Sequence, residues 1–410
     1  MIVQDDYSLT FHTLGNYQQE SELLTTLRLY FTFALALLNF TSVMAGRVLL
    51  VLYALKLGAQ PFTVGTLAAM YAVLPMLLSW QIGRFSDRFG SRWLLMLGAA
   101  GGACGMLVPY YIPGLPAIYI AAVMNGLSVA FYGVSIQNLV GLLSDTPHNL
   151  TLNFSNYSLV TSVCNFLGPL IAGFSIDLSG HTSACLYLVV LSLMPILMLA
   201  LWGGMLPIGS RKAQSAGNVR DILTGSGLWK VLVTSSLVMA GVILFQFYMP
   251  IYGHGIGLSA SAIGIVIAMF SAAAFVVRLI IPRLIAWLGK EKLLAYAFII
   301  SAVSLILVPF FKSAVVLALV SFMFGLGMGC GQPITMMMAF SNSAEGHSGE
   351  ALGLRITVNQ ITSIIVPIGF GAIGSAFGIF PVFWGIALML ASGGAFTKPG
   401  TSGHEQELSR

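Results

Sequence analysis

The chain has 410 residues, 57% of them apolar and 8% charged, with a mean hydropathy of +0.91, whereas an ordinary water-soluble domain carries about 25% charged residues. That composition excludes a soluble enzyme and describes a polytopic membrane protein whose main solvent is the bilayer. The net charge of +5 follows from which loops carry Lys and Arg, so no nucleic-acid partner is implied.

Residues 1–27 hold Asp5, Asp6, Glu20 and Glu22, with no Lys or Arg and no apolar core before Leu27. They read as a cytoplasmic tail and not as a cleavable signal peptide. Apolar runs then predict helices near 28–55, 62–82, 93–112, 116–143, 156–177 and 184–207, forming a first half over 28–208. A basic stretch rich in Gly and Ser, 209–229, reads as a cytoplasmic linker. The second half, 230–396, has helices near 230–252, 260–281, 293–311, 315–340, 353–377 and 380–396, followed by a cytoplasmic tail at 397–410. Cys104, Cys164, Cys185 and Cys330 lie in or beside apolar runs without metal-ligand spacing, which predicts packing roles.

The halves echo each other. Adding 199 carries Gly83 to Pro282, Arg84 to Arg283, Gly90 to Gly289 and Gly126 to Gly325, while adding 198 carries Pro169 to Pro367 and Gly173 to Gly371. The fold expected is all-α, twelve transmembrane helices in two pseudo-symmetric halves. With both termini cytoplasmic, 15 of the 18 Lys and Arg residues fall on the inner side, leaving Lys56 and Lys312 outside and Arg47 within a span. The positive-inside rule selects that topology.

GRFSDRFGSR, from Gly83 to Arg92, concentrates Arg84, Asp87, Arg88 and Arg92 in the turn between the second and third helices. Gly83 permits a close helix approach and Gly90 a tight turn. Gly83, Asp87, Arg88, Gly90 and Arg92 resemble the loop signature of the major facilitator superfamily, with Ser91 where a basic residue is common. The second-half copy keeps Arg283, Gly289 and Lys290 but has Ala286 where the acid would fall. The resemblance implies a secondary transporter working by alternating access, in which the acid holds the cytoplasmic gate shut. A gate network of Asp87, Arg88, Asp145 and Arg355 is therefore expected. Gly168, Pro169 and Gly173 resemble part of a fifth-helix motif of drug exporters in that superfamily, which leans towards export; they also suit close helix packing.

Arg47 stands alone among charged residues well inside a predicted span, a position that costs about 2.5–3.5 kcal/mol and points to a polar cavity. The resemblance implies that the first, fourth, seventh and tenth helices line that cavity, which places Arg47, Asn125, Gln246 and Gln332 against cargo. Tyr248 and its aromatic neighbours on the seventh helix add flat surface for an organic molecule.

All 13 acidic residues lie in tails, loops or helix ends. Protons as the coupling ion are thus implied only by the resemblance. No phosphate-cradling loop, zinc pair or serine elbow is present, so neither a cofactor nor an enzyme activity is expected. The reading is a monomeric plasma (inner) membrane carrier of a small organic solute, exporting it against protons. Two alternatives stand beside it: an organic-anion uptake carrier with Arg47 as counter-ion, and a non-transporting sensor or assembly partner.

Overall fold

The computed structural model describes residues 5–144, 147–207, 228–341 and 348–396, without the side chains of 5–22, 83–84 and 87–89 among others. The expected linker, most of which spans 208–227, Asp145 and the final tail lie outside the described residues. Within them no strand occurs.

The first helix, α1, is Asp5–Lys56, so its backbone begins well before residue 28, where the tail was expected to end. Then follow α2 (Pro61–Phe89), α3 (Ser91–Tyr111) and α4 (Leu115–Leu142). The helical stretch Pro147–Trp202 breaks at Gly180 (φ 82°, ψ 168°), giving α5 over 147–179 and α6 over 181–202. The second half holds α7 (Leu228–Gly255), α8 (Ala260–Leu288), α9 (Lys290–Leu307), α10 (Ala314–Ser341), α11 (Ser348–Phe377) and α12 (Ile379–Phe396). Ten apolar stretches are long enough to cross a membrane and α12 supplies a shorter one; dividing one of the ten at Gly180 yields the twelve expected. Apolar residues cover the helices on nearly all sides, as a lipid-facing bundle requires.

The internal repeat is visible in the backbone. Among the described residues the six glycines in the left-handed region form three pairs one repeat apart: Gly58 with Gly257, Gly90 with Gly289, and Gly180 with Gly378. At Gly90 (φ 79°) and Gly289 (φ 77°) the chain turns sharply between two helices in a conformation that a Cβ disfavours. Each N–H there still caps the preceding helix, to Ser86 O at 3.0 Å and to Ile285 O at 2.8 Å.

The halves dock through two equivalent crossings, α2 on α11 and α5 on α8, with α1 meeting α7 between them. At the first crossing a Cβ on Gly65 would strike the Pro367 carbonyl, with Gly371 Cα 3.3 Å away. At the second a Cβ on Gly264 would strike the Pro169 carbonyl, with Gly173 Cα 3.4 Å away. Bare backbone lets these helices touch where no hydrophobic force drives them together, so contact rests on van der Waals packing. Gly168 likewise leaves room for α1, where its Cβ would lie 2.6 Å from Met44 Cβ.

Candidate cargo site and gates between the two halves

Arg47 of α1 and Gln246 of α7 are 199 residues apart, the repeat offset itself, and they meet across the junction of the halves. Arg47 Nη1 points to Gln246 Oε1 at 3.5 Å, long for a hydrogen bond. Its guanidinium carbon lies 5.4 Å from the centroid of the Tyr71 ring, within cation–π range. The Arg47 Nε and the Tyr71 hydroxyl are buried without partners. Two cavities flank this layer. One, with room for about 20 Å³, is lined by Met44, Arg47, Asn165, Pro169, Gln246 and Phe247 among others. The other, with room for about 50 Å³, is lined by Arg47, Tyr71, Pro75, Met239, Phe247, Gln360 and Ser363 among others. Each is a narrow gap of a few waters at most, with mostly apolar walls and a few convergent polar groups, and must widen to admit an organic solute.

Of the five expected cargo contacts, Arg47 and Gln246 line a cavity, whereas the other three do not. Asn125 is 1% exposed and donates to the Ala121 carbonyl of its own helix at 2.8 Å, so it packs between α4, α1 and α3. Tyr248 is fully buried in the main apolar core, which runs through both halves. Gln332 reaches Met239 Sδ at 3.6 Å and accepts from Arg355 Nη1 at 3.0 Å, which places it behind the cavity wall.

Arg47 has company. Arg278, inside α8, donates from Nη1 to Ser162 Oγ of α5 in the other half and from Nε to the Gly329 carbonyl at 3.3 Å. Arg355 is 8% exposed and binds Ser235 Oγ at 3.1 Å and Thr335 Oγ1 at 3.2 Å besides Gln332. Both were counted among the charges of the inner rim, and both lie within the bundle. The charge was legible in VVRLII, an arginine amid an apolar run. Among the described residues none of the three arginines has a carboxylate partner.

At the face of the bundle away from the termini the halves are latched twice, again by the repeat. Asp177, at the end of α5, accepts from Ala260 N at 3.1 Å and Ser261 N at 2.8 Å, the first free donors of α8. Ser259 takes the next one, Ala262 N, at 3.2 Å. One repeat on, Ser375 at the end of α11 accepts from Phe62 N of α2 at 2.9 Å. Sequence reasoning placed Asp177 correctly at a helix end without seeing its partner, because a cap contributed by the other half leaves no local signature.

The sequence profile of the Major Facilitator Superfamily matches residues 31–367 and 256–402. The chain belongs to the Major Facilitator Superfamily. Quinolone resistance protein NorA of Staphylococcus aureus (strain Mu50 / ATCC 700699) is 24% identical over 356 residues, covering 83% of this chain and 88% of that protein. Tetracycline resistance protein, class H, of Pasteurella multocida is 22% identical over 326 residues, covering 76% and 79%. Among solved structures, a point mutant of the nucleoside transporter NupG superposes with a TM-score of 0.79 at 12% identity, covering 91% of this chain and all of that one. A POT family transporter in complex with 5-aminolevulinic acid gives 0.74 at 13%, covering 90% and 94%. These likenesses establish a multi-pass transporter fold.

The superfamily loop signature does not lie in a loop here. α2 continues to Phe89, so Gly83, Arg84, Asp87 and Arg88 are helical and only Gly90 makes the turn. In the copy, α8 runs to Leu288, leaving Arg283 exposed on the helix and Gly289 at the turn. The side chains of Arg84, Asp87 and Arg88 and the whole of Asp145 lie outside the described residues. Arg355, the fourth member of the expected gate network, faces α7 and α10 of its own half. Arg92 also serves its own half, donating from Nη2 to the Ala200 carbonyl at 3.3 Å and packing over Gly203.

Proposed function

We propose that this chain is a secondary active transporter that exports a small organic solute by alternating access. The observation that carries the reading is the Arg47 layer, where equivalent residues of the two halves meet at cavities while equivalent crossings latch one face. Residues on a pseudo-twofold axis are where two rocking halves stay in register as the opening passes from one side to the other. The printed names of the relatives, proteins of quinolone and tetracycline resistance, favour export. The Lys and Arg distribution favours cytoplasmic termini in a plasma (inner) membrane, an orientation in which the latched face is the outer one. The inner gate is assigned to Gly83, Arg84, Asp87, Arg88, Gly90 and Asp145, with Arg283 and Gly289 as the second-half copy. Arg355 contributes by fixing α11 against α7 and α10.

The test uses cells expressing the chain beside a vector control, loaded with fluorescent solutes that are anionic, neutral or cationic. Energised cells are expected to lose at least one solute faster than the control. Faster accumulation would turn the direction to uptake, and no difference for any solute would reject the carrier reading.

A further inference from the structure

Among the described residues the interior holds the guanidinium groups of Arg47, Arg278 and Arg355 and no carboxylate bonded to them. Burying a guanidinium is costly unless an anion or a full set of acceptors meets it. Arg278 has neutral acceptors for Nη1 and Nε, and Arg355 has three for Nη1 although its Nε is also unpartnered. Arg47 has one long contact to Gln246 and an unpartnered Nε. A guanidinium offers five N–H donors, so most of its capacity is unused on a wall of the cavity. The Tyr71 hydroxyl beside it also lacks a partner. Of the other polar groups there, Asn165 donates to the Thr161 carbonyl at 2.8 Å and Ser363 to the Asn359 carbonyl at 2.7 Å, while the neutral amides of Gln246 and Gln360 complete the lining. The one full charge there is that of Arg47, with the Tyr71 hydroxyl beside it, complementary to an acceptor-rich, negatively charged group on an apolar body.

We infer that the cargo is an organic anion whose sulfonate- or carboxylate-type group is bound jointly by Arg47 and Tyr71, and that this charge couples its export to the membrane potential. The inference rests on the carrier reading above and names its substrate class. Such export is potential-driven uniport, which keeps the carrier reading but replaces its ion-coupled form and needs no titrating acid. The sequence puts none of the 13 acidic residues in the middle of a predicted apolar span, so no mid-membrane proton carrier is expected, whereas a monoanion leaving a negative-inside cell moves downhill. A potential of about 100 mV shifts its equilibrium distribution by about 50-fold.

The full chain is purified and its affinity measured for 2-naphthalenesulfonate, for 2-naphthalenesulfonamide as the neutral isostere, and for 2-naphthylmethylamine as the cation. Wild type is expected to prefer the sulfonate by roughly ten-fold or more, the worth of one charge-assisted hydrogen bond. Arg47→Gln should abolish the preference while leaving sulfonamide affinity in place, which also shows that the variant folds. Tyr71→Phe should weaken the sulfonate alone. In proteoliposomes, sulfonate flux should follow an imposed potassium diffusion potential and be indifferent to a pH gradient. An amine bound as tightly as the sulfonate, no sulfonate binding, or an unchanged preference in Arg47→Gln overturns the anion assignment and leaves the carrier reading standing. Flux that tracks the pH gradient overturns the coupling. Binding without flux of any compound overturns the carrier reading itself, a result distinguishable from the others.

Discussion

Tyr248 and Tyr252 stand one turn apart on α7, and their hydroxyls have opposite surroundings. Tyr252 donates to the Phe311 carbonyl at 2.8 Å and is within 3.3 Å of the Pro309 carbonyl, tying α7 to the chain after α9. The Tyr248 hydroxyl is buried with no partner. Removing a satisfied hydroxyl costs about 1 kcal/mol, whereas removing an orphaned one relieves a desolvation penalty. Tyr252→Phe should therefore lower the thermal midpoint of the purified protein, while Tyr248→Phe leaves it unchanged or raises it; the reverse order would contradict the assignment. The same geometry shows why Tyr248 does not line the two cavities beside Arg47. Met239, Ile243, Gln246 and Phe247 face the cavities at helical spacing, and two further residues turn a helix by about 200°, so Gln246 and Tyr248 point opposite ways. The rotation was available in the sequence once Gln246 was chosen. The burial of Asn125 against Gly46 and Gly105 was not, because it depends on how α1 and α3 pack on α4. Asn125→Ala should reduce thermal stability while leaving the affinity for 2-naphthalenesulfonate unaltered, and a changed affinity would return Asn125 to the site.

Between elements, the decisive contacts are the two glycine crossings and the two latches above them. A methyl group on Gly65 or Gly264 collides with a carbonyl of the opposite half, and backbone cannot yield as a flexible side chain does. Gly65→Ala and Gly264→Ala should each force the halves apart at the latched face. Spin labels at the ends of α2 and α11 on that face should report a longer distance in both variants, and an unchanged distribution would sink the claim. Asp177 contributes a charged cap where Ser375 contributes a neutral one. Loss of a cap costs about 1 kcal/mol, so Asp177→Ala should move the closed-to-open ratio at this face by roughly five-fold, with Ser375→Ala doing less. Equal effects from both would show that the carboxylate charge is irrelevant. The offsets of 198 and 199 were readable because each half must repeat its own turns and close approaches. Which helix of one half would dock on which of the other was not, since an offset relates copies without stating how the copies pack.

Across the molecule, the latches, the crossings and the Arg47 layer lie in sequence from one face to the midplane, and the same pseudo-symmetry governs each. If transport needs the halves to rock about that layer, holding the latched face shut must stop turnover without emptying the site. Phe62 and Ser375 meet through a 2.9 Å hydrogen bond between the halves, so cysteines at both positions can bridge them. The four native cysteines, of which Cys104 is exposed and the others buried and free, would be replaced by Ala beforehand. Oxidation of Phe62→Cys with Ser375→Cys should abolish sulfonate flux in proteoliposomes, and a reductant should restore it. Equilibrium binding should survive oxidation, since the opposite face stays free to open and widen the gaps beside Arg47. Neither single cysteine should respond. Full flux in a completely cross-linked population would mean that solute passes without separation of the halves here, and alternating access between these two halves would then be the wrong mechanism.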